Sequence, residues 1–347
     1  MKHFMPYEIR VELCVAMTKK VAIDLGTSNC LVWLEGSGVV LKEPSVVAVS
    51  VEDRRILAIG DEAKDMLGKT PEYIEVIKPL QDGVIADYEV TEAMIRYFLR
   101  KVMGRAWFFR PDVIVAVPAG VTQVEKRAVV EATVTAGARK AYLIDAPLAA
   151  AIGAKIPVAE SFANMIVGVG AGATEAVVIC LGGVVVYGSK RIGGDTLDND
   201  IENYVRKKHG LIIGQNTAED LKEKIGAAIR LKREKEMEVS GRDSISGLPK
   251  TATITSGDIY EAIEESIMMM VSVVRETLAV TGPELVADVA DKGLVLTGGG
   301  AKLEGLDERL KREIGVVVSV APEPELCVIK GAGLAIENLE VYRRALK

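Results

Sequence analysis

The sequence is poor in the residues that build zinc sites. Its 347 residues include two histidines, His3 and His209, and four cysteines that lie far apart along the chain. The cysteines are Cys14, Cys30, Cys180 and Cys327. Because no Cys-x-x-Cys pair occurs, we expect no zinc site. Isolated cysteines in a chain of this length indicate buried thiols in a reducing cytoplasm.

Long apolar runs, a secretory signal and an excess of positive charge are also missing. No apolar run approaches the roughly 18 residues of a membrane-spanning helix, and the first residues lack the apolar core and cleavage site of a signal peptide. The net charge of −6 and the pI of about 5.4 disfavour a general nucleic-acid binder, so no nucleic-acid partner is expected. With 49% hydrophobic and 27% charged residues, the composition is typical of a folded globular chain.

Residues 1–17 are open to two interpretations. Ile9, Val11, Leu13 and Val15 alternate with polar residues, which is the period of a strand. The same stretch also fits an ill-ordered N-terminal extension, with Met17 as the natural start of the domain.

From Lys20 onward, short strands separated by glycine turns are followed by longer helical stretches. KVAIDLG, NCLVWLEG and VVLKEPSVVAVS predict three strands in a meander, and PDVIVAVPAG predicts a buried strand. Apolar spacing predicts a helix from Glu92 to Met103. The capping pattern Thr122-x-x-Glu125 predicts the start of another helix.

A second copy of this plan begins near Asn164. MIVGVG, EAVVICLGG and VVVYGSKRIGG predict strands, and GLVLTGGGAKLEGLDERLKREIG predicts a closing strand–turn–helix unit. Helices are predicted between them at Leu197–Lys208, Ala218–Leu231 and Asp258–Ala279. A plan that occurs twice predicts a duplicated α/β architecture with a cleft between two lobes.

Three glycine-rich turns carry the chemistry. Two lie between predicted strands, at Asp24–Asn29 and Gly170–Thr174, and the third, Gly298–Ala301, lies between a strand and a predicted helix. Small residues let the main chain approach an anion, which successive N–H groups or a helix N-terminus then bind. Each turn alone also fits a tight hairpin or a helix start without ligand. In this order they resemble the two phosphate loops and the adenosine loop of the actin, sugar-kinase and heat-shock chaperone ATPases.

Further stretches narrow this resemblance to the MreB family of bacterial actins. They are EPSVVAV, KPLQDGVIADY, TQVEKRA, PLAAAIGA, GGDTLD, TAEDLKEKIG, SGLPK and LTGGGAKLEGLDE, and they extend from about Thr18 to Asn338. The resemblance implies an actin-like α/β fold of two related lobes, each with a mixed sheet flanked by helices, and a nucleotide in the interlobe cleft. The implied division is 1–17 as an extension, 18–155 as the first lobe, 156–325 as the second lobe with its nucleotide-binding subdomain, and 326–347 as a C-terminal helix that returns to the first lobe.

The resemblance also implies which residues bind ATP or ADP with Mg²⁺. The implied nucleotide contacts are Gly26, Thr27, Ser28 and Asn29; Gly170, Gly172 and Thr174; Glu219 and Lys222; and Gly298, Gly299, Gly300 and Ala301. Asp24 is expected to hold Mg²⁺ through water, as a carboxylate beside phosphate can. For Glu219 and Lys222, an exposed i,i+3 charge pair on a helix is the alternative.

Three positions depart from the family. Its second phosphate loop reads DIGGGTTE, whereas this chain has Gly168 in place of the aspartate and Ala173 in place of the first threonine. The family also has a glutamate that positions the attacking water, and Ala146 stands there, with Asp145 beside it as a possible substitute. Hydrolysis needs a metal and a group that orients water, whereas main-chain phosphate binding survives these changes. We therefore expect nucleotide binding with weak or absent ATPase activity.

Consecutive aromatics stand out in a chain that has only 5% of them. Trp107, Phe108 and Phe109 lie between Arg105 and Arg110. Three adjacent side chains cannot all face one core, and the flanking arginines suit an anionic bilayer. The family has a membrane-insertion loop at this place. The alternative is a connection whose aromatics pack under the first lobe.

The resemblance implies a filament protein that guides cell-wall synthesis and cell shape, in the cytoplasm and peripheral to the inner face of the membrane. Its expected partners are further copies of itself, paralogues, membrane-anchoring or cell-wall synthesis proteins, and the anionic membrane surface. A regulatory paralogue that co-assembles with an active relative is one alternative. A sugar-kinase-type phosphotransferase is another, although Gly168 and Ala146 occupy its candidate carboxylate positions.

Overall fold

The computed structural model describes residues 19–81 and 83–342, so the predicted N-terminal extension lies outside the described residues. The chain divides into two compact units, with boundaries after Gly153 and after Cys327. The first unit consists of the described residues up to Gly153 and from Val328 onward. The second unit is Ala154–Cys327. Over the described ranges, no helix is long and apolar enough to cross a membrane.

The first unit is built around one five-stranded sheet. Its strands are β1 (Lys20–Leu25), β2 (Asn29–Leu34), β3 (Gly38–Pro44), β4 (Val47–Ser50), β5 (Ile56–Ile59), β6 (Ile74–Ile77), β7 (Leu80–Gln81), β8 (Val84–Ile85), β9 (Asp112–Val117) and β10 (Lys140–Asp145). Its helices up to the first boundary are α1 (Asp61–Met66), α2 (Tyr88–Met103), α3 (Gln123–Thr135) and α4 (Ala146–Gly153). The main sheet has the order β10-β9-β1-β2-β3, with β1, β2 and β3 antiparallel in sequence and β9 and β10 parallel to β1. A small sheet β5-β4-β6 and the pair β7-β8 complete the unit.

The two predicted helices of this unit each begin directly after a residue whose side chain caps the helix N-terminus. In α2, the Asp87 carboxylate accepts a hydrogen bond from Val90 N at 3.2 Å, so the helix begins at Tyr88 and not at the predicted Glu92. In α3, the predicted capping box is confirmed, because Glu125 N donates to Thr122 Oγ1 and Thr122 N donates to the Glu125 carboxylate. Both helices pack their apolar faces on the sheet, where all six residues of β9 are buried.

The second unit repeats the sheet order of the first. Its strands are β11 (Asn164–Val169), β12 (Thr174–Cys180), β13 (Gly183–Lys190), β14 (Leu211–Ile212), β15 (Glu236–Asp243), β16 (Pro249–Thr255), β17 (Leu294–Thr297) and β18 (Val318–Val320). Its helices are α5 (Gly194–His209), α6 (Gln215–Ile225), α7 (Ser256–Ala279), α8 (Pro283–Lys292) and α9 (Leu306–Ile314). The order β13-β12-β11-β17-β18 matches β3-β2-β1-β9-β10, and β14-β15-β16 forms a separate sheet. The predicted duplication is therefore present in the strand order.

One predicted helix is shorter than expected. Apolar spacing predicted Ala218–Leu231, whereas α6 ends at Ile225. Gly226 leaves the helical conformation, with φ −69° and ψ 143°, and Ala227 forms an isolated bridge with Glu304. Ala227 and Ala228 are buried without a continuing helix, which the spacing of the apolar residues alone could not show.

The last helix, α10 (Cys327–Glu337), packs on the first unit through glycines. A Cβ at Gly331 would lie 1.8 Å from Ala149 O on α4, and one at Gly333 would lie 2.6 Å from the Trp33 indole. Lys20 Nζ donates to Glu337 O at 3.2 Å. Missing side chains at these two positions allow the helix to approach the sheet and α4 closely.

We expect Gly331→Ala to destabilise the first unit. The added methyl group would overlap a main-chain oxygen, which costs about 1–3 kcal/mol as overpacking, more than the roughly 1 kcal/mol that alanine returns as helix propensity. Thermal unfolding followed by circular dichroism should show a midpoint several degrees lower, at about 2–4 °C per kcal/mol. Leu334→Ala, on the exposed face of the same helix, is the control and should change the midpoint little. An unchanged midpoint in Gly331→Ala would show that the helix is not held this closely.

Candidate functional site

The first glycine-rich turn joins β1 to β2 and is held from behind by the residue that follows β3. Ser45 is completely buried; its Oγ donates to Gly26 O at 2.6 Å and its N donates to Ser28 O at 2.9 Å. Gly83 N donates to Thr27 Oγ1 at 3.1 Å. A Cβ at Gly26 would lie 2.6 Å from Asn29 O, so only glycine fits the turn. The main-chain groups of the turn are therefore fixed before any ligand arrives.

Asp24 is the fifth of the six residues in the strand that leads into this turn. Burial raises its pKa to about 7, so part of its carboxyl population is protonated at neutral pH. A cation beside it would favour the charged form. Within the ranges that the structure describes, no group of three or more His, Cys, Asp and Glu side chains could hold a metal ion. A lone carboxylate fits Mg²⁺ held through water and substrate phosphates, which is how this ion is usually bound.

The second glycine-rich turn joins β11 to β12 and is held in the same way. Here the segment after β13 supplies the hydrogen bonds: Gly194 N donates to Gly170 O at 3.0 Å and Asp195 N donates to Ala171 O at 2.9 Å. A Cβ at Gly193 would lie 2.4 Å from Ala171 O. Both turns thus occupy the same place in their sheets, and the chain after the third strand braces each of them.

Thr174 has a structural contact that the sequence analysis did not foresee. Its hydroxyl is fully buried and donates to Ile192 O at 2.7 Å. The proton of this hydroxyl is therefore directed at the main chain, and the phosphate contact of Thr174 stays a prediction. The residue ties the end of the turn to the bracing segment.

Gly168 occupies in β11 the place that Asp24 occupies in β1. Each is the fifth residue of a six-residue strand, and each lies between an antiparallel and a parallel neighbour. A Cβ at Gly168 would meet Thr297 Oγ1 at 3.6 Å, an ordinary contact. The missing carboxylate is therefore not required by packing at this position.

Asp145 and Ala146 lie at the carboxyl edge of the first sheet. The register places Ala116 level with both Asp24 and Ile144, so Asp24 and Asp145 lie near the carboxyl ends of β1 and β10, on the same edge of the sheet. Asp145 is buried, at 5% exposure, and Ala146 begins α4. Ligands of open α/β sheets bind at this edge. Sequence and structure thus bring Asp145 to the side of the sheet where Asp24 lies.

The third glycine-rich turn does not begin an α-helix as predicted. Gly299–Lys302 forms a single 3₁₀ turn, and α9 begins only at Leu306. The positive end of a long helix is therefore not aimed at a ligand here. Gly298 has φ +85°, and its N donates to Pro324 O at 2.9 Å, whereas Gly299 faces open space. What the turn offers a nucleotide is close approach to the main chain.

Lys222 pairs inside the second unit and not along its own helix. Its Nζ lies 2.7 Å from Asp198 Oδ1 and donates to Gly194 O at 3.1 Å. The Lys222 side chain is only 16% exposed, which differs from the exposed surface pair given as the alternative. Asp198 and Ser45 are the residues that sequence reasoning missed. Both lie in stretches that carry the family resemblance, but their partners are set by the fold and no spacing indicates them.

The aromatic segment divides between core and surface. Trp107 is partly buried and packs on the core of the first unit; a Cβ at Gly137, where φ is +123°, would lie 2.4 Å from its ring. The Arg100 guanidinium lies 5.5 Å from the Trp107 ring centroid. Phe109 is 40% exposed, and the Phe108 side chain lies outside the described part of the structure. Trp107 thus contacts the core, as the alternative interpretation has it for the aromatic residues, and the membrane contact of the segment stays a prediction.

A family model, curated relatives and solved structures all indicate the same family. The family described as MreB/Mbl protein matches residues 18–344. The cell shape-determining protein MreB of Escherichia coli (strain K12) is 46% identical over 328 residues, which are 93% of this chain and 94% of that protein. The cell shape-determining protein Mbl of Bacillus cereus is 41% identical over 330 residues, 95% of this chain and 99% of that protein.

Solved structures show the same similarity in three dimensions. MreB5 of Spiroplasma citri bound to AMPPNP matches with a TM-score of 0.88 and 32% identity, covering 94% of this chain and 98% of that one. The same protein bound to ADP also gives a TM-score of 0.88, at 33% identity over 93% and 98%. Family match, identity and fold agree over nearly the whole length, and the chain therefore belongs to the MreB/Mbl family and has its actin-like fold.

Proposed function

We propose that this protein binds ATP and ADP with Mg²⁺ and assembles into membrane-associated filaments that act in cell shape and cell-wall synthesis. The observation that carries the nucleotide part is the pair of braced glycine turns, one in each unit, at equivalent places of the two sheets. Fixed main-chain groups with small side chains are suited to phosphate. Binding of AMPPNP and ADP by MreB5 of Spiroplasma citri supports the assignment.

The proposed role in cell shape rests on the relatives. Proteins of Escherichia coli and Bacillus cereus that share 41–46% identity with this chain are named cell shape-determining proteins. We place the protein in the cytoplasm, at the inner face of the membrane. Its proposed partners are other copies of itself, membrane-anchoring or cell-wall synthesis proteins, and MreB paralogues.

Nucleotide-dependent assembly is the direct test of this function. Negative-stain electron microscopy and pelleting should show filaments with ATP or AMPPNP and Mg²⁺, and few or none without nucleotide. Protein that stays in the supernatant under all these conditions, while binding nucleotide, would contradict the filament role. Pelleting together with a hydrolytically active family member distinguishes a protein that forms its own filaments from a regulatory paralogue. A regulatory paralogue should enter the filaments of the active relative, whereas a self-sufficient protein should assemble alone.

We further propose that hydrolysis is weak, because the second unit has no counterpart of the Asp24 carboxylate. Gly168 removes the second carboxylate beside the phosphates, and Ala146 removes the group that would orient water. Asp145 is the remaining carboxylate near that position, but it is buried at the end of β10. Phosphate binding by the braced main chain does not depend on these side chains.

Restoring the two carboxylates should raise phosphate release. We expect Ala146→Glu combined with Gly168→Asp to increase ATP turnover by about 100-fold, the usual contribution of a positioned acid–base group. A Cβ at Gly168 would make only an ordinary contact, 3.6 Å from Thr297 Oγ1. A malachite-green assay measures the change. Gly282→Asp is the control for Gly168→Asp: it makes the same substitution at an exposed position with open space around its Cβ, and it should leave turnover unchanged. Ordinary turnover in the unmodified protein would refute weak hydrolysis.

The membrane part of the proposal rests on Phe109, with Phe108 beside it. The exposed ring lies in a segment with Arg105 and Arg110, so apolar and cationic groups meet at one surface. Trp107 holds the segment to the core from the other side. Such a segment can insert its apolar residues without unfolding the unit.

Replacing both phenylalanines should abolish membrane binding and leave the fold intact. We expect Phe108→Ser/Phe109→Ser to lose co-sedimentation with vesicles that contain anionic lipid, with a thermal midpoint close to that of the unmodified protein. Tyr187→Ser is the matched control, because Tyr187 is an aromatic residue with 52% exposure in the second unit. Vesicle binding that persists in the double variant, or is lost equally in the control, would rule out this segment as the membrane contact.

A further inference from the structure

Asp198 is a buried carboxylate whose place in the fold calls for an explanation. It lies on α5 with 2% exposure, and its Oδ1 is 2.7 Å from Lys222 Nζ on α6. Burial raises its pKa to about 6, against the opposing effect of the lysine, so it is mostly ionised at neutral pH. A buried ion pair seldom adds stability over apolar residues of similar size. A role in placing the lysine accounts for the pair better than stability does.

The lysine is held at two points. Besides the carboxylate, Lys222 Nζ contacts Gly194 O at 3.1 Å, and a Cβ at Gly194 would lie 3.2 Å from the same nitrogen. A glycine at 194 therefore lets the ammonium reach this carbonyl. Gly194 belongs to the segment that braces the second phosphate loop through its own N–H bond to Gly170 O. The ammonium is thus anchored to the frame that holds that loop.

An ammonium group has three N–H donors. One donates to Gly194 O, and the nitrogen forms an ion pair with Asp198 Oδ1, so the held ammonium keeps donor capacity for a ligand. The side chain of lysine has four rotatable carbon–carbon bonds, and an unheld ammonium would lose much of its conformational freedom on binding. The two contacts remove that freedom before the ligand arrives, which lowers the cost of binding.

We propose that Asp198 is a positioning residue that sets Lys222 at a fixed place relative to the second phosphate loop, so that the site prefers a nucleoside triphosphate to bare polyphosphate. This inference rests on the proposed nucleotide function and on the family resemblance, which implies that Lys222 borders the adenosine. The loop itself keeps its main-chain bonds to Gly194 and Asp195 without the ion pair. Loss of Asp198 should therefore weaken recognition of the nucleoside and spare recognition of the phosphates.

Isothermal titration calorimetry with two probes, ATP and inorganic tripolyphosphate, each with Mg²⁺, tests this. We expect Asp198→Asn to raise the Kd for ATP about tenfold, as for loss of one charged hydrogen bond, and to change the Kd for tripolyphosphate by less than about twofold. Asp200→Asn is the matched control: the same change on the same helix, where the carboxylate accepts instead from Ser266 Oγ at 2.5 Å. It should leave both constants unchanged. Equal weakening of both probes in Asp198→Asn would overturn the inference.

A double variant separates positioning from folding. Asp198→Asn/Lys222→Met removes both charges and leaves no unpaired ammonium, so it carries the test if Asp198→Asn alone does not fold. Because Asp198 acts through Lys222, the double variant should bind ATP as weakly as Lys222→Met and no more weakly. Recovery of the unmodified affinity in the double variant would overturn the inference. Unmodified protein that binds no ATP would remove the nucleotide function and this inference together, whereas ATP binding that Asp198→Asn leaves intact would remove the inference alone.

Discussion

The candidate site depends on the hydrogen bonds that hold each glycine turn from behind. In the first unit Ser45 donates from both its hydroxyl and its amide to the turn, and in the second unit the amides of Gly194 and Asp195 do the same. A glycine turn has the largest conformational freedom of any chain segment and would lose it on binding an anion. These bonds remove that freedom during folding. The loss of conformational entropy in the turn therefore occurs during folding and not during ligand binding. This is possible because the chain that follows the third strand of each meander lies against the turn between the first two strands.

The two units are equivalent in sheet order but not in charge. Asp24 places a carboxylate at the end of β1, in surroundings that raise its pKa to about 7, while Gly168 leaves the corresponding place in β11 without one. The second unit puts its buried carboxylate elsewhere, at Asp198, where it meets Lys222. A duplicated backbone can therefore keep its phosphate-binding geometry while the charges around it change. In the proposed function, phosphate binding follows from the backbone and hydrolysis from the side chains, so the two can be lost separately.

Much of the fold could be predicted because its signals are local. Glycine turns between β-branched runs indicated both meanders, and the capping box at Thr122 and Glu125 located the start of α3. The predictions that were wrong depended on distant contacts. The helix predicted to Leu231 ends at Ile225 because Ala227 bridges to Glu304, which is far away in the sequence. The turn at Gly299 is 3₁₀ and not the start of an α-helix, although its composition is the same in either case.

The sequence by itself determined the family, the repeated strand order and the three glycine-rich turns, because each of these depends on the type and spacing of residues that are neighbours along the chain. It also determined which carboxylates are missing at Ala146 and Gly168. Only the tertiary structure decided that Thr174 donates to the main chain, that Trp107 faces the core while Phe109 faces outward, and that Lys222 pairs with Asp198. Those outcomes depend on which side chains meet across the fold. A hydroxyl, an indole or an ammonium has several possible partners, and only packing selects among them.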